Sequence, residues 1–171
     1  MNRPIPCLAA VLAAALLAGC AGYRLGPTAG FAAGARSVQI RPFQNQTLEP
    51  RLTEPFTSAM RKRVQQDGTY ELRTREDADI IVTGRIIRYE RSGVSFQPDD
   101  IITLRDYDVE VTVQLEARER ATGRVQLDRQ LTGRTTVRAG SDPASSERQA
   151  LPILAEDFAR KAVALLADGD W

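Results

Sequence analysis

Hydrophobic and polar residues alternate most regularly between Tyr107 and Glu116. Tyrosine, valine and leucine occupy every second position, and charged residues, threonine and glutamine occupy the positions between them. Because successive side chains of a strand point to opposite faces, this pattern predicts a β-strand that is buried on one face only. A turn at Thr122-Gly123 follows, and then the alternation resumes, which is typical of neighbouring strands in an antiparallel sheet. The apolar side of this second segment carries Val125, Leu127 and Leu131.

Three other segments also predict strands. The first runs from Ser37 to Phe43, where apolar and polar residues again alternate. The second is the short stretch from Tyr70 to Thr74. The third opens with the β-branched run Ile80-Ile81-Val82, which predicts the start of a longer strand. The residues from Gln44 to Pro50 are predicted to be a polar connection.

A helical period replaces the alternation after residue 50. Apolar residues recur at intervals of four, which predicts one hydrophobic stripe on a helix that ends near Gly68. Thr53 is predicted to cap this helix with its side-chain oxygen, and Pro55 is tolerated in the first turn. The stripe consists of Leu52, Phe56, Met60 and Val64.

A second amphipathic helix is predicted after Asp142-Pro143, where an N-cap residue precedes a proline. Pro152 lies inside this segment, and we expect a kink or a new helix start there, because proline lacks the backbone donor. The apolar positions of this helix are Leu151, Leu154, Phe158, Ala162 and Leu165.

Two helices with apolar stripes must cover the apolar face of a sheet. The predicted fold is therefore α+β: a two-layer sandwich in which two helices pack on one face of a four- to five-stranded, mostly antiparallel sheet. Residues 37–171 are expected to form this single domain, since their number suits one hydrophobic core.

The N-terminal segment has the order of a secretory signal, with Arg3 before an apolar run from Cys7 to Ala18. The run is shorter than the roughly 20 apolar residues that span a bilayer. It ends in Leu17-Ala18-Gly19-Cys20, so residues 1–19 are predicted to be a signal peptide that is removed, with Cys20 as the lipid-attachment residue. The alternative is an ordinary signal peptide with a cysteine near its cleavage site by chance. Residues 20–36, rich in glycine and alanine, are predicted to form a flexible tether.

Charge and composition exclude several function classes. Without Arg3 the chain carries 22 basic and 22 acidic side chains, a balance that argues against nucleic-acid binding. The sequence has no histidine, and Cys20 would have its sulfur blocked, so the usual general base, thiol nucleophile and transition-metal ligands are missing. We therefore expect neither an enzyme nor a cofactor or metal site.

Four segments resemble the LPS-assembly lipoprotein family, LptE. They are Cys20 to Leu25 (Cys-Ala-Gly-Tyr-Arg-Leu), Ile40 to Pro50 (Ile-Arg-Pro-Phe-Gln-Asn-Gln-Thr-Leu-Glu-Pro), Ala78 to Gly84, and the alternating strand from Tyr107 to Leu115. In order and spacing they cover nearly the whole chain after the signal peptide. The first two segments are together the most specific part of the resemblance.

The resemblance implies an outer-membrane lipoprotein that faces the periplasm and sits as a plug inside a large β-barrel partner. It further implies a role in assembling that barrel and in inserting lipopolysaccharide into the outer leaflet. The resemblance assigns one of the family's functional residues to this chain, the lipid-attachment residue Cys20. Ala21, in place of an aspartate after the cysteine, implies transport to the outer membrane rather than retention at the inner one.

The segment from Arg91 to Asp106 is the second candidate site. If the strands on either side pair through it, they form a long hairpin with an apolar tip and arginines along its shaft. Arginine binds phosphate through a planar fork of donors, so lipid A is one candidate ligand. The alternative is that the tip packs on its own domain or on the barrel. The candidate lipopolysaccharide or partner contacts are Arg88, Arg91, Phe96, Ile101, Ile102 and Arg105.

The polar face of the predicted sheet fits the hydrated interior of a large barrel, although plain solvent exposure explains it equally well. A second function therefore remains open: a periplasmic scaffold or binding lipoprotein that acts on another cell-envelope component. The polar residues of this face are Asp108, Glu110, Thr112, Gln114, Glu116, Gln126, Asp128 and Gln130.

Overall fold

Six strands and two helices make up the part of the chain that the computed structural model describes, which is residues 34–75, 77–97, 100–138 and 142–168. The side chains of residues 94–105 and of Pro143 are not part of that description. In chain order the elements are β1 (Arg36–Ile40), β2 (Gln44–Asn45), α1 (Thr53–Asp67), β3 (Tyr70–Leu72), β4 (Ile80–Gln97), β5 (Asp100–Glu119), β6 (Val125–Arg138) and α2 (Pro143–Asp168).

The sheet is mixed, with the strand order β3-β1-β4-β5-β6 and the short β2 paired to β4. β4, β5 and β6 form an antiparallel meander, as predicted. The pairs β1–β3, β1–β4 and β2–β4 are parallel. The predicted α+β fold with two helices is confirmed. The sheet differs from the prediction, because the described residues form six strands rather than four to five and three of their five strand pairs are parallel rather than antiparallel. α1 carries the chain from β1 back over the sheet to β3, and such a crossover makes neighbouring strands parallel.

The strand faces agree with the alternation along β5. The apolar residues of this strand are buried, and the polar residues that alternate with them are half-buried on the opposite face. The buried residues are Tyr107, Val109, Val111, Val113 and Leu115. On β6, Leu127 and Val137 are buried on the same inner face. Val125 is an exception to the prediction, since 41% of its surface is exposed. It pairs with Arg118 at a register shift, which removes it from the regular inner face.

Helix α1 buries the predicted stripe but begins differently from the prediction. Leu52 is the N-cap residue, with no side-chain hydrogen bond, and Thr53 is already the first helical residue. Leu52 stands at the cap position because its side chain is fully buried in the core. The predicted end is confirmed: Gly68 has φ 75°, and its N–H donates to the Val64 carbonyl. This left-handed conformation favours glycine.

Helix α2 runs without interruption from Pro143 to Asp168, so the predicted second start at Pro152 does not occur. Proline has no N–H to donate to the carbonyl one turn earlier. Pro152 is on the exposed side of the helix, where water can provide the missing hydrogen bond. The predicted cap is confirmed, since the Asp142 carboxylate accepts a 3.2 Å hydrogen bond from the Ser145 N–H.

Both helices cover the inner face of the sheet and meet at Phe158. This side chain is fully buried, and its ring centroid lies 5.4 Å from that of Phe56 on α1 and 5.9 Å from that of Phe43. Phe43 in turn lies over Gly84 of β4, where a Cβ atom would come within 2.6 Å of its ring. Residue size at this strand position therefore sets how closely the loop after β1 approaches the sheet.

Candidate functional site

Arg91 joins the hairpin strand β4 to the start of α2. Its Nε donates a 2.8 Å hydrogen bond to Glu147 Oε1, and one terminal nitrogen lies 2.8 Å from the same oxygen. That nitrogen also lies 3.8 Å from the Glu49 carboxylate, on the loop after β2. Arg91 therefore connects three segments that are distant in the sequence.

Burial and the neighbouring Glu49 carboxylate raise the pKa of Glu147. The Arg91 guanidinium lies 2.8 Å from this carboxylate, and a cation at that distance favours the charged form. Arg91 also lies over the ring of Tyr89, with 5.2 Å between the guanidinium carbon and the ring centroid. An arginine that the sequence suggested as a phosphate contact thus already has two carboxylates and an aromatic ring as neighbours.

Arg88 lies on the other face of the hairpin from Arg91. The register pairs Arg88 with half-buried Thr112, whereas Arg91 pairs with buried Val109. Arg88 is exposed, and its guanidinium lies 3.6 Å from the Glu90 carboxylate. The two arginines therefore do not converge on one ligand site.

The predicted pairing of the hairpin strands is confirmed as far as Gln97 and Asp100. The connecting residues 98–99 lie outside the described residues. The remaining candidate contacts are in the hairpin strands, but their side chains lie outside the described part of the structure. They are Phe96, Ile101, Ile102 and Arg105.

The segment of residues 45–51, which overlaps the predicted polar connection from Gln44 to Pro50, is held by its own side chains. Asn45 Oδ1 accepts hydrogen bonds from the backbone N–H and the hydroxyl of Thr47, at 3.0 and 2.8 Å. The Asn45 amide donates to the Glu49 carbonyl, and the Glu49 N–H donates to the Thr47 hydroxyl at 3.3 Å. The spacing Asn-x-Thr-x-Glu was the available signal, since asparagine and threonine side chains form such local turns.

The outer face of the sheet carries charges that are paired across strands. Arg134 of β6 forms an ion pair with Glu110 of β5 at 2.5 Å, and the Thr136 hydroxyl donates to Asp108 at 2.7 Å. The Gln114 amide also donates to Asp128 across the same strands. Because these side chains satisfy one another, the face is polar without a large surplus of one charge.

A cleft of about 500 Å³ lies between the two helices and β6. Its walls are mostly charged side chains, and several of them are paired: Lys62 with Glu156 at 2.9 Å, and Asp157 with both Arg160 and Lys161. The Asp157 carboxylate caps the exposed edge of β6 by accepting the Arg134 N–H at 3.0 Å. No group of metal-ligating side chains occurs among the described residues.

Cys20, the predicted lipid-attachment residue, lies outside the described residues, as do the signal peptide and most of the tether. Among the helices that the structure describes, none has the length and hydropathy needed to cross a membrane.

The family model described as "LptE: Lipopolysaccharide-assembly" matches residues 35–166, which is most of the chain. Comparison with the curated proteins finds no match.

Solved structures share the fold at low sequence identity. The hypothetical protein CT253 from Chlamydia trachomatis has a TM-score of 0.58 at 13% identity, covering 80% of this chain and 96% of its own. A minor lipoprotein from Acinetobacter baumannii has a TM-score of 0.53 at 15% identity, covering 77% and 92%. A putative lipoprotein from Caulobacter crescentus CB15 has a TM-score of 0.51 at 12% identity, covering 73% and 87%.

Proposed function

Because the chain belongs to the lipopolysaccharide-assembly family LptE, we propose that it is an outer-membrane lipoprotein that plugs a large β-barrel translocon. In this role it supports assembly of the barrel and assists insertion of lipopolysaccharide into the outer leaflet. Residues 1–19 act as the signal peptide, Cys20 carries the lipid, residues 20–36 form the tether, and residues 37–171 form the domain. We expect no enzymatic activity and no cofactor.

The observation that carries the plug role is the family match over residues 35–166, and the outer face of the sheet supports it. The lumen of a large outer-membrane barrel is polar and hydrated. A face whose charges are already paired, as in Arg134 with Glu110, can enter such a lumen without leaving an unpaired charge away from water.

Co-purification tests the plug role. The full chain is extracted from outer membranes in mild detergent, and we expect a stable one-to-one complex with a large β-barrel protein. Glu110→Lys, which places a positive charge beside Arg134, should weaken that complex. Glu71→Lys on the edge strand β3 is the matched control at an exposed acidic position. A chain that is recovered without any barrel partner would contradict the plug role and favour the periplasmic scaffold.

Direct contact with lipopolysaccharide is a separate part of the proposal. Arg88 is the better arginine to test, because Arg91 holds Glu147 and Glu49. Replacing Arg88 and Arg105 together by serine should weaken binding of purified lipopolysaccharide and leave the barrel complex intact. Replacing Phe96 and Ile102 by serine should act in the same way if the tip meets acyl chains, and should disrupt the barrel complex if it packs on protein. Lipopolysaccharide binding that survives both replacements would remove this hairpin from lipid recognition.

A further inference from the structure

The cleft between the two helices and β6 has the size of a small-molecule site. Its volume of about 500 Å³ lies within the range of about 300–1,000 Å³ that is common for ligand pockets. Helix α1 contributes Ala59, Lys62 and Arg63, whose spacing places them on one helix face. Helix α2 contributes the face that carries Asp157 and Arg160. Two helix faces with charged side chains therefore line one recess.

Arg63 is half-buried on the wall of this cleft and has no partner within the described part of the chain. Its Nε atom is shielded from solvent, and its N–H meets no acceptor among the described residues. A buried donor without an acceptor is destabilising, and nearly all such groups in folded proteins have a partner. The guanidinium of Arg63 therefore has hydrogen-bonding capacity that the described residues leave unused.

The other charges on the cleft walls add to this cation instead of cancelling it. Lys62 and Glu156 form a neutral pair across the cleft at 2.9 Å. The single carboxylate of Asp157 is shared by Arg160 and Lys161, which leaves one positive charge in excess there. Together with the unpaired guanidinium on α1, the cleft has a surplus of two positive charges.

We propose that this cleft binds a phosphate monoester, with the Arg63 guanidinium as the main contact. Such a group carries about −1.5 to −2 charges at neutral pH, which matches the surplus. The planar fork of an arginine also fits two phosphate oxygens. Water can accept the Nε–H, but it does not neutralise the charge. This site does not depend on the proposed function, and Arg88 and Arg91 of the hairpin are not among its walls.

Calorimetry with the full-length chain in detergent tests the site, with glycerol 3-phosphate as the probe and sodium chloride at equal ionic strength in every sample. The wild type should bind the probe, and Arg63→Gln should bind it roughly 10- to 100-fold more weakly, as expected for the loss of a charged hydrogen-bond donor. Arg129→Gln is the matched control, because this exposed arginine of β6 is not a wall of the cleft, and its affinity should equal that of the wild type. Equal affinities of the two variants would overturn the proposal.

Two further measurements do not depend on the folding of Arg63→Gln. In the wild type, the nuclear magnetic resonance signal of the Arg63 Nε–H should shift as the probe is added. Glu156→Gln removes the carboxylate that faces Lys62, so it should tighten binding of the probe. An Arg63 signal that stays in place, or weaker binding by Glu156→Gln, would contradict the site.

A second probe identifies the source of the phosphate. Dihexanoyl phosphatidate carries the same phosphate monoester on a lipid, and dihexanoyl phosphatidylcholine lacks that monoester. Similar affinities for phosphatidate and glycerol 3-phosphate would indicate a free phosphate ligand, whereas tighter, Arg63-dependent binding of phosphatidate would indicate a lipid headgroup. If phosphatidylcholine binds as well as phosphatidate, or if the wild type binds neither phosphate probe, the proposal is wrong, and the plug role is unaffected.

Discussion

Gly133 of β6 lies directly beneath Phe158 of α2. A Cβ atom at position 133 would be 2.9 Å from Phe158 Cβ and 2.9 Å from the Leu154 carbonyl oxygen. The absence of a side chain on the strand thus lets the backbone of α2 approach the sheet, and it places Phe158 at the meeting point of both helices.

Gly133→Ala should therefore destabilise the fold. The added methyl group meets backbone as well as side-chain atoms, so the helix must shift, at a cost of about 1–3 kcal/mol. Denaturant unfolding followed by circular dichroism measures the change. Gln130→Ala on the same strand is exposed and serves as the control, with little expected effect.

Phe158→Ala should cost about 3–5 kcal/mol, because it removes a fully buried aromatic ring that contacts Phe56 and Phe43. Glu110→Ala, which breaks only a partly exposed ion pair with Arg134, should cost less than about 1 kcal/mol. Measuring the free energies of unfolding of the two variants tests this difference. Equal losses would contradict the assignment of inner and outer sheet faces.

Arg91 and Glu147 should be energetically coupled. A double-mutant cycle with Arg91→Ala and Glu147→Ala is expected to give about 0.5–1 kcal/mol, since the pair is close but partly exposed. The looser pair Arg88 and Glu90, at 3.6 Å and more exposed, should give a coupling near zero. The same near-zero value for both pairs would show that Arg91 does not hold the hairpin to α2.

Asp79 should make stability depend on pH. Hydrogen bonds from the Ser37 N–H and hydroxyl, at 2.8 and 2.7 Å, hold the pKa of Asp79 below its ordinary value of 3.8. A lowered native pKa adds stability above the unfolded pKa, and that stability is lost as the pH falls through the native pKa.

The wild type should therefore have a higher thermal midpoint than Asp79→Asn at neutral pH, and the difference should disappear below the native pKa. Thermal melts at several pH values measure it. Asp77→Asn, which removes a carboxylate from an exposed neighbouring position, is the matched control. A difference that persists unchanged into acid would rule out the carboxylate charge as its cause.

Cys20→Ala should abolish lipid attachment, because the cysteine sulfur is the proposed acylation site. Labelling cells with a fatty-acid probe is expected to mark the wild type and not the variant, which should accumulate as precursor or soluble chain. Unchanged labelling of the variant would refute the lipoprotein hypothesis.

The elements with the strongest local patterns follow from the sequence. Tyr107 to Leu115 alternate and form an inner face, and the stripes through Phe56 and Phe158 form the buried sides of two helices. These patterns are readable because side-chain direction repeats every two residues in a strand and about every 3.6 in a helix. The Asp142 and Gly68 caps were also predictable, because each depends on its own residue and the adjacent turn.

The strand directions were not predictable in this way. Alternation predicts which face of β1 is buried, but it does not say that β1 lies parallel to both β3 and β4. Strand partners depend on how the chain crosses the sheet, which the local spacing of residues does not record. The two-residue β2 contributes too few side chains for any pattern.

The same distinction between local pattern and tertiary contact applies to the candidate site. The sequence by itself predicted a paired hairpin with arginines, a polar sheet face and a polar connection from Gln44 to Pro50. Only the tertiary structure decided that Arg91 contacts Glu147, 56 residues away, and that Leu48 is left outside the core. Periodicity predicts which face of its own helix or strand a residue occupies. Ion-pair partners and fully exposed positions depend instead on which distant segments pack together.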